Sequence, residues 1–252
     1  MIDFAPIAHF GLLLARPGML VIAAPAFGGT YAPTHVRLAL IVLLAFTLTP
    51  FVPVPDLTAT VGLGMVIARE LAIGFAMALA IRALIAGAEL GGQLIGSQLM
   101  LSYGSVVDPQ GGVRSNLIGS LYSNLTLITF FAINGHHTFI RNLASSYAAL
   151  PIGVGHIDPS LARTVMQLLA VVFVLGLRLA APLIVVMLVV ELATGLVSRA
   201  APAINLMAIA TPIRLTVGLL VVAALVSFLP GVVTRFSTTI AELGLQAARG
   251  FR

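Results

Sequence analysis

The side chains with the clearest potential for metal chemistry are histidines. His136 and His137 are adjacent, and His156 and Asp158 follow in the next polar stretch. Imidazole and carboxylate groups are common ligands of zinc. However, neighbouring residues on a helix do not share a face, and the chain has no His-Glu-x-x-His or comparable ligand spacing. We therefore expect histidines in loops or at a membrane interface, with no metal or cofactor.

Three glutamates lie inside apolar segments, Glu70, Glu89 and Glu191. A carboxylate within a membrane can carry protons in a transporter, or it can be a structural charge satisfied by a partner helix. We favour the structural role for Glu191. The same two alternatives apply to Glu70, which has Arg69 beside it.

The common catalytic motifs are absent from the sequence. Cysteine is missing, which excludes thiolate nucleophiles and disulfides. No glycine-rich phosphate loop and no Gly-x-Ser-x-Gly elbow occurs. We predict that the protein is not an enzyme.

The composition is that of a membrane protein. Of 252 residues, 60% are hydrophobic and only 8% are charged, whereas about a quarter of residues are charged in soluble domains. The net charge of +5 comes entirely from arginines, which are scattered singly and form no patch for nucleic acid. Contact with anionic membrane lipid explains this charge better.

The chemistry-bearing residues must be positioned by membrane helices. The sequence predicts an all-α integral membrane protein with six hydrophobic blocks, near residues 5–26, 36–53, 62–101, 117–133, 163–198 and 211–229. The third and fifth blocks would extend roughly 55–60 Å as straight helices, while a bilayer core is about 30 Å thick. Each is therefore broken, steeply tilted or a hairpin.

The block 62–101 carries a polar face beside a face of small residues. Steps of seven, four and four separate Arg82, Glu89, Gln93 and Ser97, which places them on one side of a helix. The glycines follow the small-xxx-small pattern of close helix packing. Packing within the chain and a seam between subunits are both compatible with this. The predicted packing or seam residues are Arg82, Gly87, Glu89, Gly91, Gly92, Gln93, Gly96, Ser97, Gln98, Arg178, Pro182 and Glu191.

The stretch "VVDPQGGVRSN", residues 106–116, is longer and more polar than a plain connector between helices, which needs about 2 to 8 residues. It is either a solvated loop or a moving part.

We treat 1–252 as a single membrane domain, with N-terminal helices in 1–101, the polar loop in 102–116 and C-terminal helices in 117–229. The last part, 230–252, has apolar residues at helical steps and is predicted to be an amphipathic helix. Such a helix lies on the membrane interface or docks on a partner.

With these segments placed, the chain resembles the FliR proteins of the flagellar type III export gate and their injectisome counterpart SctT. The resemblance runs nearly end to end and is carried by three sections: "ARPGMLVIAAPAFGGTYAPTHVRLAL", "GGQLIGSQLMLSYGSVVDP" and "LAAPLIVVMLVVELATGLVSRAAPAINLMAIATPIRLTVG". There are departures. Met100 stands where the family usually has glycine, Ala203 replaces a frequent glutamine, and Glu191 sits where a polar uncharged residue is common.

The resemblance implies a non-enzymatic channel subunit of the bacterial inner membrane and flagellar basal body. It implies assembly with FliP and FliQ, contact with FlhB and FlhA, and passage of unfolded flagellar proteins. In this family the polar loop after the Gln-containing helix helps to plug the channel. By position the predicted plug is Tyr103, Gly104, Ser105, Val106, Val107, Asp108, Pro109, Gln110, Gly111, Gly112 and Val113, with Tyr103, Val106 and Val107 as its apolar contacts.

Two other functions remain alternatives at this point. A secondary transporter would use broken helices and buried charges to bind a small solute, but the two halves of the chain show no obvious repeat. An intramembrane hydrolase would need catalytic His or Asp pairs within the spans, and the histidines lie in or near loops.

Overall fold

The computed structural model describes residues 5–27, 32–53, 62–101, 117–153, 158–201 and 206–251. These residues form eight α-helices and no β-strand, which confirms the predicted all-α fold. In chain order the helices are α1 (Ala5–Ala23), α2 (Thr34–Leu48), α3 (Leu63–Gln98), α4 (Leu117–Ala132), α5 (Gly135–Ala149), α6 (Ser160–Ala200), α7 (Leu206–Val226) and α8 (Leu229–Arg249). Each of the six predicted hydrophobic blocks overlaps one of these helices, α8 corresponds to the predicted amphipathic segment, and α5 is additional.

The two long blocks are single helices. Helix α3 has 36 residues, and α6 has 41 and contains Pro182. Proline removes one backbone hydrogen bond from a helix, yet α6 continues beyond it to Ala200. The broken and hairpin alternatives are therefore wrong for both blocks, and steep tilt stays a prediction.

The remaining apolar segments are shorter or bent. Helices α4 and α5 meet at 68°, and α7 and α8 meet at 53°. By length and composition, two helices of the described chain can cross a membrane, or up to four spans if each bent pair counts as one. This agrees with an integral membrane protein.

The chain divides into two compact units. The first unit comprises residues 1–84, 130–170 and 237–252, and the second comprises 85–129 and 171–236. The boundaries fall within α3, α4, α6 and α8. The predicted segment limits at residues 101, 116 and 229 stay predictions.

In the first unit, the apolar side of α8 is buried within the chain. Ile240 and Ala247 are inaccessible to solvent, and the side-chain amide of Asn142 in α5 donates to the carbonyl oxygen of Ala241 at 2.9 Å. A Cβ on Gly244 would lie 3.1 Å from Cβ of Ala80 in α3. The apolar side of α8 thus packs on its own chain, and a position at the membrane interface or on a partner stays a prediction.

Candidate functional site

The C-terminal end of α3 directly precedes the predicted plug. Met100 has a φ of 59°, the left-handed region that glycine adopts without cost. The N–H of Leu101 donates to the carbonyl of Gly96, and the N–H of Met100 donates to that of Ser97, each at 3.1 Å. This pair of bonds is a Schellman motif. Glycine, which the resemblance leads us to expect at position 100, would adopt this left-handed conformation without strain.

The glycines of α3 pack against two helices of the second unit. A Cβ on Gly91 would lie 3.0 Å from both the carbonyl oxygen of Gly176 and Cβ of Leu179, in α6. A Cβ on Gly92 would lie 2.6 Å from Cα of Gly119 in α4. Only the absence of side chains allows such close approach of backbones. Gly87 also contacts α6, at Leu175, and Gly96 is buried.

A further contact fixes the last turn of α3. Leu99 is buried, and a Cβ on Gly218 of α7 would overlap its Cδ2. The same Cβ would lie 3.0 Å from Cε of Met187 in α6. The residue before Met100 is therefore enclosed by α6 and α7.

The polar side chains predicted on α3 are not covered by the described chain. Arg82, Glu89, Gln93 and Ser97 are exposed, and Gln98 is half-buried. The amide of Gln93 donates to Glu89 Oε1 at 3.3 Å. Within the described ranges, neither Arg82 nor Glu89 has an ion-pair partner. The glycines and the polar residues thus occupy different sides of α3, and only the glycine side packs within the chain.

The other predicted seam residues lie on α6, where two charges have partners in the second unit. Glu191 forms an ion pair with Arg214 of α7. The guanidinium carbon of Arg178 lies 5.4 Å from the ring centroid of Phe236, within the range of a cation–π contact. Pro182 is exposed. Glu191 thus has a counter-charge in its own chain, and its structural role stays a prediction.

The most buried charges of the described chain form a cluster in the first unit. Arg16 of α1 and Glu70 of α3 are wholly inaccessible to solvent. Arg16 donates to both carboxylate oxygens of Glu70, from Nε at 2.7 Å and from Nη2 at 3.1 Å. Nη1 donates to the hydroxyl of Ser146 at 2.9 Å, and Nη2 also donates to the carbonyl of Leu150 at 3.1 Å. The cluster joins α1, α3 and the C-terminal end of α5.

The proline after Arg16 accounts for a hydrogen bond between Tyr147 and α1. Pro17 lies inside α1 and has no N–H to donate to the carbonyl of Leu13, four residues earlier. The hydroxyl of Tyr147 donates to that carbonyl oxygen at 3.3 Å. The Tyr147 ring also stacks on Arg16, whose guanidinium carbon lies 4.1 Å from the ring centroid.

In this cluster the Glu70 carboxylate pairs with Arg16 and not with its neighbour Arg69; the structural and the proton-carrying role both stay predictions. The Nη2 of Arg69 instead donates to the carbonyl oxygen of Phe251 at 2.7 Å. The sequence placed Glu70 inside an apolar segment, but it did not identify Arg16 as the partner. The only local signal was that both charges stand inside apolar runs.

The remaining predicted residues give no site in the described chain. The plug residues, 103–113, lie outside the described residues, as does His156. The rings of His136 and His137 have centroids 4.2 Å apart. Among the described residues, no group of three or more His, Asp or Glu could hold a metal ion.

Comparisons with known proteins identify the family. A family model described as "Bacterial export proteins, family 1" matches residues 7–240. The flagellar biosynthetic protein FliR of Caulobacter vibrioides is 32% identical over 217 residues, which cover 84% of this chain and 86% of that protein. FliR of Escherichia coli (strain K12) is 30% identical over 213 residues, 84% of this chain and 82% of that protein. FliR of Bacillus subtilis (strain 168) is 25% identical over 245 residues, 95% of this chain and 94% of that protein. The chain therefore belongs to the bacterial export proteins, family 1, together with relatives that carry the name FliR.

Proposed function

We propose that this chain is a non-enzymatic channel subunit of the flagellar type III protein export gate. It lies in the bacterial inner membrane at the flagellar basal body and assembles with FliP and FliQ into a pore. FlhB and FlhA contact the assembly, and unfolded flagellar proteins pass through it. The names of the relatives and the family match over most of the chain support this function. The apolar helices support a place in the membrane.

We further propose that residues 103–113 plug the closed pore. A pore for unfolded chains must block ions and still yield to a polypeptide, so its gate needs a movable segment on a firm base. In the sequence, glycines 104, 111 and 112 supply conformational freedom, and Asp108-Pro109 favours a turn. Tyr103, Val106 and Val107 are the proposed apolar contacts with the pore wall.

The plug proposal is supported by the packing of the C-terminal end of α3, which directly precedes residues 103–113. Met100 ends α3 in a Schellman motif, Leu99 is enclosed beside Gly218, and Gly92 lies against Gly119. Close packing makes this end resistant to displacement. The proposed plug begins three residues after Met100, so that its attachment to α3 is held in place.

The test is removal of Gln110 to Val113, with FliP and FliQ co-expressed and assembly of the complex confirmed. Small-ion leak across the membrane and export of flagellar protein are measured in the same cells. We expect a higher leak with export retained. The matched control removes four residues, 57–60, from the connection between α2 and α3, and should leave the leak unchanged. An intact ion barrier with unchanged export in the 110–113 deletion would make this segment a connector only.

A further inference from the structure

The exposed side of α3 changes in chemistry along the helix. As far as Phe75 its large exposed side chains are apolar, among them Met65, Leu71 and Phe75, and the next exposed residue is Arg82. In the second unit the exposed positions are Ala86, Glu89, Gln93 and Ser97, hereafter the polar strip. Steps of three and four keep these residues on one face. Large apolar side chains suit contact with lipid, whereas small and polar ones are typical of contacts between membrane helices.

Within this strip, Glu89 has no cationic partner among the described residues. The two long helices carry three glutamates, and Glu70 and Glu191 are each paired with an arginine. In the described part of the chain, the one side-chain donor to Glu89 is the neutral amide of Gln93, at 3.3 Å. An ionised carboxylate that faces lipid is costly. A positive charge from outside the chain would remove that cost.

No described helix of this chain packs on the strip, whose four residues are exposed. On its glycine side, α3 holds α4 and α6, at Gly92 and Gly91. Leu90 and Leu94, both half-buried and four residues apart, border the strip along one edge. A polar strip with an apolar edge suits contact with one packed helix, because the edge excludes water from that side of the polar contact.

We propose that a membrane helix of a neighbouring pore subunit docks along the polar strip and presents an arginine or lysine to Glu89. This inference rests on the proposed function, since it assumes a multi-subunit pore. It assigns Glu89 a role in subunit pairing: the attraction selects a partner helix with a basic residue at that level and disfavours one with an acidic residue. Ala86 and Ser97 allow the partner backbone to approach on either side of the ion pair.

The first experiment identifies the docked helix. Photo-crosslinking residues are introduced at Ala86 and at Gln93 in the chain co-expressed with its cognate FliP and FliQ. The control position is Phe173, an exposed apolar residue of α6. We expect adducts from both strip positions with one helix of a pore subunit. Adducts only with lipid, or only with protein in transit, would overturn the proposal, because the strip would then face the bilayer or the channel.

The second experiment tests the charge. Glu89→Gln and Glu89→Arg are compared with Glu242→Gln and Glu242→Arg, which alter an exposed glutamate of α8. The dissociation constant of the chain from the solubilised complex is measured. We expect Glu89→Gln to weaken association by about 30-fold or more, and Glu89→Arg to weaken it further. The Glu242 variants should assemble like the wild type.

A reciprocal change distinguishes lost pairing from faulty folding. Reversal of the crosslinked partner's basic residue to glutamate should restore assembly of Glu89→Arg. Wild-type assembly of Glu89→Arg, or failure of every basic residue on the docked helix to restore it, would overturn the inference. The proposed function would survive that result if the 110–113 deletion still raised the ion leak. If wild-type chain never associates with FliP and FliQ, the proposed function itself fails.

Discussion

Replacement of Arg16 by methionine should strongly destabilise the protein. The guanidinium is fully buried and holds two oxygens of Glu70, the Ser146 hydroxyl and the Leu150 carbonyl. Methionine fills part of the volume but donates nothing. The carboxylate of Glu70 would then remain buried without a counter-charge, which costs about 3–5 kcal/mol of folding free energy. Loss of the donors to Ser146 and Leu150 acts in the same direction.

A double-mutant cycle separates the ion pair from the packing. Glu70→Met alone leaves Arg16 buried without its anion and should cost a similar amount. In the double variant both charges are gone, and an apolar pair in place of a buried ion pair is often nearly neutral. We therefore expect strong non-additivity: the single effects add to about 6–10 kcal/mol, whereas the double variant should be no less stable than either single variant.

The assay is denaturant-induced unfolding of the purified chain in mild detergent, with the free energy of unfolding compared between variants. Arg82→Met is the matched control, because Arg82 is exposed and has no ion pair among the described residues. It should change stability by less than about 0.5 kcal/mol. If Arg16→Met behaved like this control, or if the cycle were additive, the buried pair would not hold α1 to α3.

The same unfolding assay checks three smaller effects. Met100→Gly should stabilise by about 1 kcal/mol, because a side chain at positive φ costs about 1–2 kcal/mol and Met100 loses some contacts; no gain would contradict the left-handed helix end. Gly92→Ala should destabilise by about 1–3 kcal/mol through overpacking against Gly119, whereas Gly195→Ala, with open space around its Cβ, should stabilise by up to about 1 kcal/mol; equal effects would refute the close approach. Tyr147→Phe keeps the ring on Arg16 but removes the hydrogen bond to Leu13, and should cost about 1 kcal/mol; a neutral result would mean that this bond contributes nothing.

Helix positions followed from the sequence because apolar runs of membrane length leave few alternatives. The continuity of α3 and α6 did not, because glycines such as Gly91 and the proline Pro182 can also interrupt a helix. In the fold, Gly91 is a contact point for α6, and α6 tolerates Pro182. Local residue type therefore marked places of close approach but could not distinguish them from breaks.

The candidate site was likewise predictable from the sequence only in part. Periodicity separated the glycine side of α3 from the side with Glu89, but it carries no information on which side the rest of the chain covers. The pairing of Arg16 with Glu70 joins residues 54 positions apart, and Ser146 lies 130 positions from Arg16. Contacts at such separation depend on how helices cross. A buried charge in the sequence signals only that some partner must exist.

The amphipathic pattern of α8 was similarly incomplete. Ile240 and Ala247 at helical spacing showed that one side must leave water, and both are buried. The pattern is the same whether that side meets lipid, a partner or its own chain. In the fold, that side meets its own chain, because it contacts Asn142 and Ala80, which lie far from α8 in the sequence.

We propose that unfolded flagellar proteins pass this chain at the segment after α3. To test this, a photo-crosslinking residue is placed at Val107 in the assembled complex, and a flagellar substrate is arrested during export. We expect adducts between position 107 and the arrested substrate, and adducts with the opposing pore wall when no substrate is present. If the arrested substrate forms adducts with FliP but never with position 107, the segment does not gate the channel and the proposed function of residues 103–113 is wrong.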